Sequence, residues 1–152
     1  MNVKEVMKTA DATCAPDSDL GAVIKTMRDH DCGFLPVVDS HGIVVGVVTD
    51  RDVCMAAGTA HRPLARVSVN ETMSHPVFSC FADENGKTVV GTMAKHRTRR
   101  LPVLNKSGHL QGVLSIDDIV QTPHRRGGPT AEDIVAALKA IYAPRAVELV
   151  TS

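Results

Sequence analysis

Apolar residues return along this chain with two alternating periods. In "DSDLGAVIKTMRDH", Leu20, Val23, Ile24 and Met27 fall on one face of a 3.6-residue helix, with Asp17 or Ser18 placed to cap its start. "ENGKTVVGTMAKH" repeats the stripe with Val89, Val90 and Met93. Gly86 and Gly91 lower the intrinsic helicity of this second copy, so tertiary packing must hold it. After each helix stands a short apolar run, "FLPVVD" or "RLPVLN", then a glycine-containing turn, "SHG" or "KSG", then a second run, "IVVGVVT" or "HLQGVLS". Each pair of runs predicts an antiparallel hairpin. Pro36 and Pro102 have no N–H and belong near a strand start or a sheet edge. Each half reads as strand, helix, hairpin, helix.

The halves are in register. An interval of 66 residues separates Thr49 from Ser115, and also Met7 from Met73, Cys14 from Cys80, Met27 from Met93, His30 from His96 and Pro36 from Pro102, with no gap between. A unit of about 50 residues buries too little surface to be comfortably stable alone. Two copies packed about a pseudo-twofold axis are expected to share one core and to leave a pair of related clefts between them. The expected fold is α+β: two pseudo-twofold-related strand-helix-hairpin-helix units packed through their sheets, plus a C-terminal helix. Along the chain this gives repeat 1 with its lead-in segment and linker (1–66), repeat 2 (67–122), and a flexible connector, "QTPHRRGGP", with the last helix (123–152). In "TAEDIVAALKAIYAP", Thr130 can cap, Asp133 can answer it, Ile134, Leu138 and Ile141 form a stripe, and Pro144 stops the helix. That stripe is expected to pack on its own domain or to meet a second subunit.

Composition narrows the function classes. A chain of 152 residues, 43% hydrophobic and 22% charged, suits one globular unit. Seventeen basic residues balance seventeen acidic ones, so no global field draws in nucleic acid or an anionic membrane. Aromatics at 3% argue against a base-stacking platform. "MNVKEVMKTADATC" has no apolar segment of a secretion signal, and the longest apolar run, around residues 43–48, is too short to span a membrane. A cytoplasmic location is expected. The four cysteines, Cys14, Cys32, Cys54 and Cys80, form no CxxC pair and read as buried reduced thiols, with Cys32 beside Gly33 the candidate for redox chemistry. No nucleophile and base, and no metal-ligand spacing, is recognisable, so an enzyme is not expected. His30 and His96 are read as helix-dipole partners at helix ends. A metal shared between subunits stays open.

The candidate chemistry lies in "GVVTDRD" and "GVLSIDD". Thr49-x-x-Asp52 and Ser115-x-x-Asp118 fit the capping box that starts a helix after a strand. The same turn suits a ribose or phosphate, and a carboxylate there can accept hydrogen bonds from both hydroxyls of a ribose diol. The two readings are compatible. A second signal is the asymmetry between "KHRTRRLPV", with Lys95, His96, Arg97, Arg99 and Arg100, and its mate "DHDCGFLPV", with Gly33 and Phe34 before the strand. Concentrated guanidinium groups bind phosphate oxygens in forked pairs.

With "GFLPVV" and "GVVTDRD" matched by "RRLPVL" and "GVLSIDD", residues 1 to about 122 resemble a tandem CBS-domain pair, the Bateman module, and the chain resembles small stand-alone bacterial proteins of that kind. The resemblance implies a regulatory, non-catalytic module binding an adenosine-containing ligand (AMP, ADP, ATP, S-adenosylmethionine or NAD) in the clefts between repeats, with no catalytic cofactor. It implies that Asp52 and Asp118 hold ribose, that Thr49 and Ser115 contact ribose or phosphate, and that Arg100 and Arg99 meet phosphates. Arg51, whose counterpart is Asp117, is a further phosphate candidate. Cys14, Ala15 and Cys80, with Pro36 and Pro102, would flank adenine. Unequal affinities are expected, because the arginine pair occurs once. Apolar helix faces in so small a unit imply a homodimer, and an effector protein would act in trans. The alternatives are a ligand-free structural module acting through homodimerisation, or a metal- or redox-responsive dimer.

Overall fold

The 66-residue interval is kept by the backbone. In the computed structural model, which describes residues 1–122 and 126–145, α1 (Leu20–Asp29), β1 (Phe34–Val38), β2 (Val44–Thr49) and α2 (Asp50–Thr59) are matched by α3 (Gly86–His96), β4 (Arg100–Leu104), β5 (Leu110–Ser115) and α4 (Ile116–Gln121). A short strand β3 (Cys80–Phe81) precedes α3, and α5 (Ala131–Tyr142) closes the described chain. Connector residues 123–125 and the last residues, 146–152, lie outside the described ones.

Each hairpin is antiparallel, with Phe34 opposite Thr49 and Arg100 opposite Ser115. The turns use one chemistry twice. The Asp39 carboxylate accepts the N–H groups of His41 and Ile43, and the Asn105 amide oxygen those of Ser107 and His109. Gly42 and Gly108 supply the positive φ, 79° and 84°, that the turn requires. Cys80 pairs in parallel with Val103, and in the first half Cys14 makes the equivalent single bridge to Val37. The prolines sit at the third position of β1 and β4, not at the strand start. Pro36 carries a carbonyl that accepts from the Cys14 N–H on the thinly paired side of its strand, so its missing N–H breaks no ladder bond.

The halves are interleaved. Residues 1–8 lie on the second repeat, where the Val3 N–H donates to Glu84, Lys4 to Ala82, and Lys8 and Val113 exchange both backbone bonds. Their mates lie on the first repeat: Leu20 donates to Val67, Val69 to Ser18, and Ser74 and Val47 exchange both bonds. The lead-in segments are therefore exchanged in space between the stretches 1–66 and 67–122. On the axis relating the halves, mates Ile43 and His109 bridge each other, and the Val44 N–H donates to the Gly108 carbonyl.

This exchange corrects the expectation of one shared core. Two apolar clusters form, one around Leu20, Val23, Leu35, Val37 and Val48 completed by Val67 and Val69, the other around Val89, Met93, Leu101, Val103 and Leu114 completed by Val3. Helix α5 joins the second through buried Ala137, with Ile134, Leu138 and Ile141 packed beside it, and it lies along α3. That packing supplies the support that Gly86 and Gly91 withhold from α3. Lys87 of α3 pairs with Asp133 of α5 at 3.4 Å. The Thr130–Asp133 capping box forms as expected, whereas α1 is capped by Asp19 rather than Asp17 or Ser18, because its carboxylate is the one that reaches the Ala22 N–H at 3.0 Å.

Candidate functional site

Both repeated heptads end their hairpins in the same way. Thr49 and Ser115 leave the strand in extended conformation as N-caps of α2 and α4. The Ser115 hydroxyl accepts the Asp118 N–H at 3.1 Å, while one Asp118 carboxylate oxygen, Oδ2, accepts the Ser115 N–H at 2.9 Å and its hydroxyl at 2.6 Å. In the first repeat Asp52 Oδ2 accepts from the Thr49 N–H and hydroxyl, both at 2.9 Å. The capping role is therefore real in both copies, and it uses only one oxygen of each carboxylate.

The other oxygens distinguish the copies. Asp118 Oδ1 receives the Lys8 ammonium at 2.6 Å, with the Asp118 side chain 7% exposed and that of Lys8 76% exposed. Burial works against the Asp118 carboxylate, but the hydrogen bonds from Lys8 and Ser115 outweigh it and hold the group below its ordinary value. Lys8 is correspondingly raised by its bond to Asp118 and by that charge, against some opposition from Arg100. Asp52 forms no ion pair among the described residues. The mate of Lys8 is Ser74 and the mate of Arg100 is Phe34.

Arg100, Ser115 and Asp118 are thus brought together, since Arg100 stands opposite Ser115 in the hairpin. Thr49 and Asp52 form the equivalent group, without a cation at the Phe34 position. Arg51 is exposed on the first turn of α2. Arg99 is turned to the C-terminal helix: its guanidinium donates to the Tyr142 hydroxyl at 3.1 Å and lies 5.9 Å from the ring centre, while Arg97 donates to the Ala143 carbonyl. Pro36, Pro102 and Cys80 are buried, and Cys14 and Ala15 are half-buried. Burial pushes the Cys14 thiol up to about 11 and, with a contribution from Glu84, that of Cys80 up to about 12. His96 stacks on Phe78 at 3.8 Å.

Lys8 was absent from the residues singled out by motif. Its signal was present, because "MKT" against "MSH" makes position 8 basic in one lead-in segment and neutral in the other. Among the described residues no three His, Cys, Asp or Glu side chains are grouped to hold a metal ion, and no helix is long and apolar enough to cross a membrane. A groove of about 600 Å³ lies elsewhere, between α1 and α2, lined by Ile24, Met27, Val53, Cys54 and Leu64 among others.

Two interleaved units of this topology, each ending its hairpin in a Thr/Ser-x-x-Asp cap, define a paired-repeat module. The CBS domain profile matches residues 3–58 and 68–124, and the chain belongs to that family. It is 30% identical over 118 residues to the CBS domain-containing protein YhcV of Bacillus subtilis, covering 78% of this chain and 82% of that protein. Among solved structures, the CBS domain pair of MJ0100 in complex with 5′-methylthioadenosine and S-adenosyl-L-methionine superposes with a TM-score of 0.72 at 24% identity, covering 80% of this chain and 98% of that one. CBSX2 in complex with AMP gives 0.69 at 21%, covering 79% and 93%.

Proposed function

We propose that the protein is a regulatory rather than catalytic module of the cytoplasm that binds an adenosine-containing ligand (AMP, ADP, ATP, S-adenosylmethionine or NAD) between its repeats and signals to an effector in trans. The observation that carries this reading is the pairing of a ribose-suited carboxylate with cations at one hairpin end: Asp118, Ser115 and Arg100 together, with Asp52 and Thr49 forming a second, less basic group. Adenosyl ligands in the MJ0100 and CBSX2 structures support it. In this reading Asp118 and Asp52 accept from ribose, Arg100 meets phosphate, and Pro36, Pro102, Cys14, Ala15 and Cys80 border adenine. Arg51 supplements the phosphate contacts, and Arg99 joins them only on leaving Tyr142. Ligand binding alters the relation between the repeats, and that change is what the effector reads.

A panel of the five ligands in a thermal-unfolding assay tests it. A bound ligand at a hundredfold excess over its Kd stabilises by about 2.7 kcal/mol, and Arg100→Ala should reduce that gain for phosphorylated ligands. A flat response to the whole panel would favour the second reading, an assembly module. That reading draws on the α1–α2 groove, where Ile24 is 41% exposed, and on Met55 of α2, 57% exposed. The same surface suits a homodimer, which sedimentation at micromolar concentration would detect.

A further inference from the structure

We propose that Lys8 makes the Asp118 site selective for phosphorylated over phosphate-free adenosyl ligands; this rests on the adenosyl reading above. Three observations converge. Asp118 has one oxygen committed to Ser115, so Oδ1 is the acceptor left for a ribose hydroxyl, and the Lys8 ammonium occupies it at 2.6 Å. The Lys8 backbone is pinned by two hydrogen bonds to Val113, while its side chain is 76% exposed, so the ammonium can swing without moving the chain. Arg100 stands opposite Ser115 in the hairpin, at the strand end where Ser115 and Lys8 both bond to Asp118.

A ligand that takes Oδ1 therefore releases an ammonium beside a guanidinium. A nucleoside offers nothing in exchange for the broken ion pair. A nucleotide brings a phosphate that Lys8 and Arg100 can share, and charge-assisted bonds to phosphate replace the one lost. Lys8 thus guards the carboxylate in the empty state and grips the anion in the bound state. The first repeat lacks the device, since Ser74 stands where Lys8 does and Phe34 where Arg100 does. Its Asp52 accepts a ribose with no ammonium to displace, so the two sites weigh the ligand's charge differently.

Isothermal titration of the full-length protein with AMP and with adenosine, for wild type, Lys8→Ser and Lys8→Arg, tests the inference. In Lys8→Ser adenosine should bind more tightly and AMP more weakly, lowering the AMP-to-adenosine affinity ratio at the tighter AMP site about tenfold, and Lys8→Arg should keep the wild-type ratio. A purely structural role would move both ligands in one direction. An unchanged ratio in Lys8→Ser, with AMP still bound, overturns the inference and leaves the adenosyl reading standing. Wild type that binds neither AMP nor adenosine overturns the inference, whereas the adenosyl reading falls only if the whole five-ligand panel also leaves the melting temperature unchanged.

Discussion

Gly112 lies directly against the backbone of Lys8: a Cβ at position 112 would stand 2.5 Å from the Lys8 carbonyl oxygen. That carbonyl accepts the Val113 N–H, so the lead-in segment cannot retreat without giving up its bridge. Gly112→Ala should cost about 1–3 kcal/mol and lower the Tm by several degrees. The mate Gly46 meets mainly the Met73 thioether, at 2.5 Å, a flexible group that can swing aside. Gly46→Ala should be the milder change, and paired denaturant melts would measure the difference.

Acid stability should depend on Asp118. Burial raises this carboxyl, but the bonds from Lys8 and Ser115 together outweigh it, leaving the folded group below its ordinary 3.8. A group lowered in the folded state stabilises the fold above its unfolded pKa and loses that contribution as pH falls through the folded value. Between about pH 5 and the folded pKa, wild type should therefore lose stability more steeply than Asp118→Asn. Lys8→Ser should fall between them, as urea midpoints across that range would record.

The thiols should separate by environment. Cys80, pushed up to about 12, and Cys14, up to about 11, hold little thiolate at pH 8. Cys54 is exposed. A disulfide dye at pH 8 should modify Cys54 readily in the native protein, and reach Cys14 and Cys80 only after unfolding, with tryptic mapping to identify each.

Docking of α5 can be followed optically. Tyr142 is the single tyrosine in a chain without tryptophan, and it holds Arg99. Thr130→Ala removes the hydroxyl that accepts the Asp133 N–H at 3.1 Å. The loss should be about 1 kcal/mol, with the Tyr142 emission changing at lower denaturant than in wild type.

Much of this architecture was legible as pattern. The 66-residue register located both hairpins, both capping boxes and the Ser115–Asp118 and Thr49–Asp52 groups, because helix and strand periods and caps are local. What escaped was non-local. The pairing of Lys8 with Val113 and of Ser74 with Val47 leaves no periodic trace, so the exchange of lead-in segments and the two clusters in place of one were unreadable, and the basic position 8 showed no partner until the fold placed it against Asp118. Arg99 was the weaker of the two phosphate candidates, and only the placement of α5 reveals Tyr142 as its partner. The cap of α1 turned on which side chain reaches the Ala22 N–H, and that is Asp19, next to the first helical residue, rather than Asp17 or Ser18.

The interleaving bears on how the chain is made. Val3 waits for Val89 and Met93, and the first cluster waits for Val67 and Val69, so a nascent chain halted at residue 66 presents an unfinished apolar surface while its own first residues have nowhere to settle. Such long-range closure ties the fate of both copies together and slows the search for the native state. Neither copy is a cassette that could be lifted out by cutting at the boundary of the duplication, and drift in one is felt by the other.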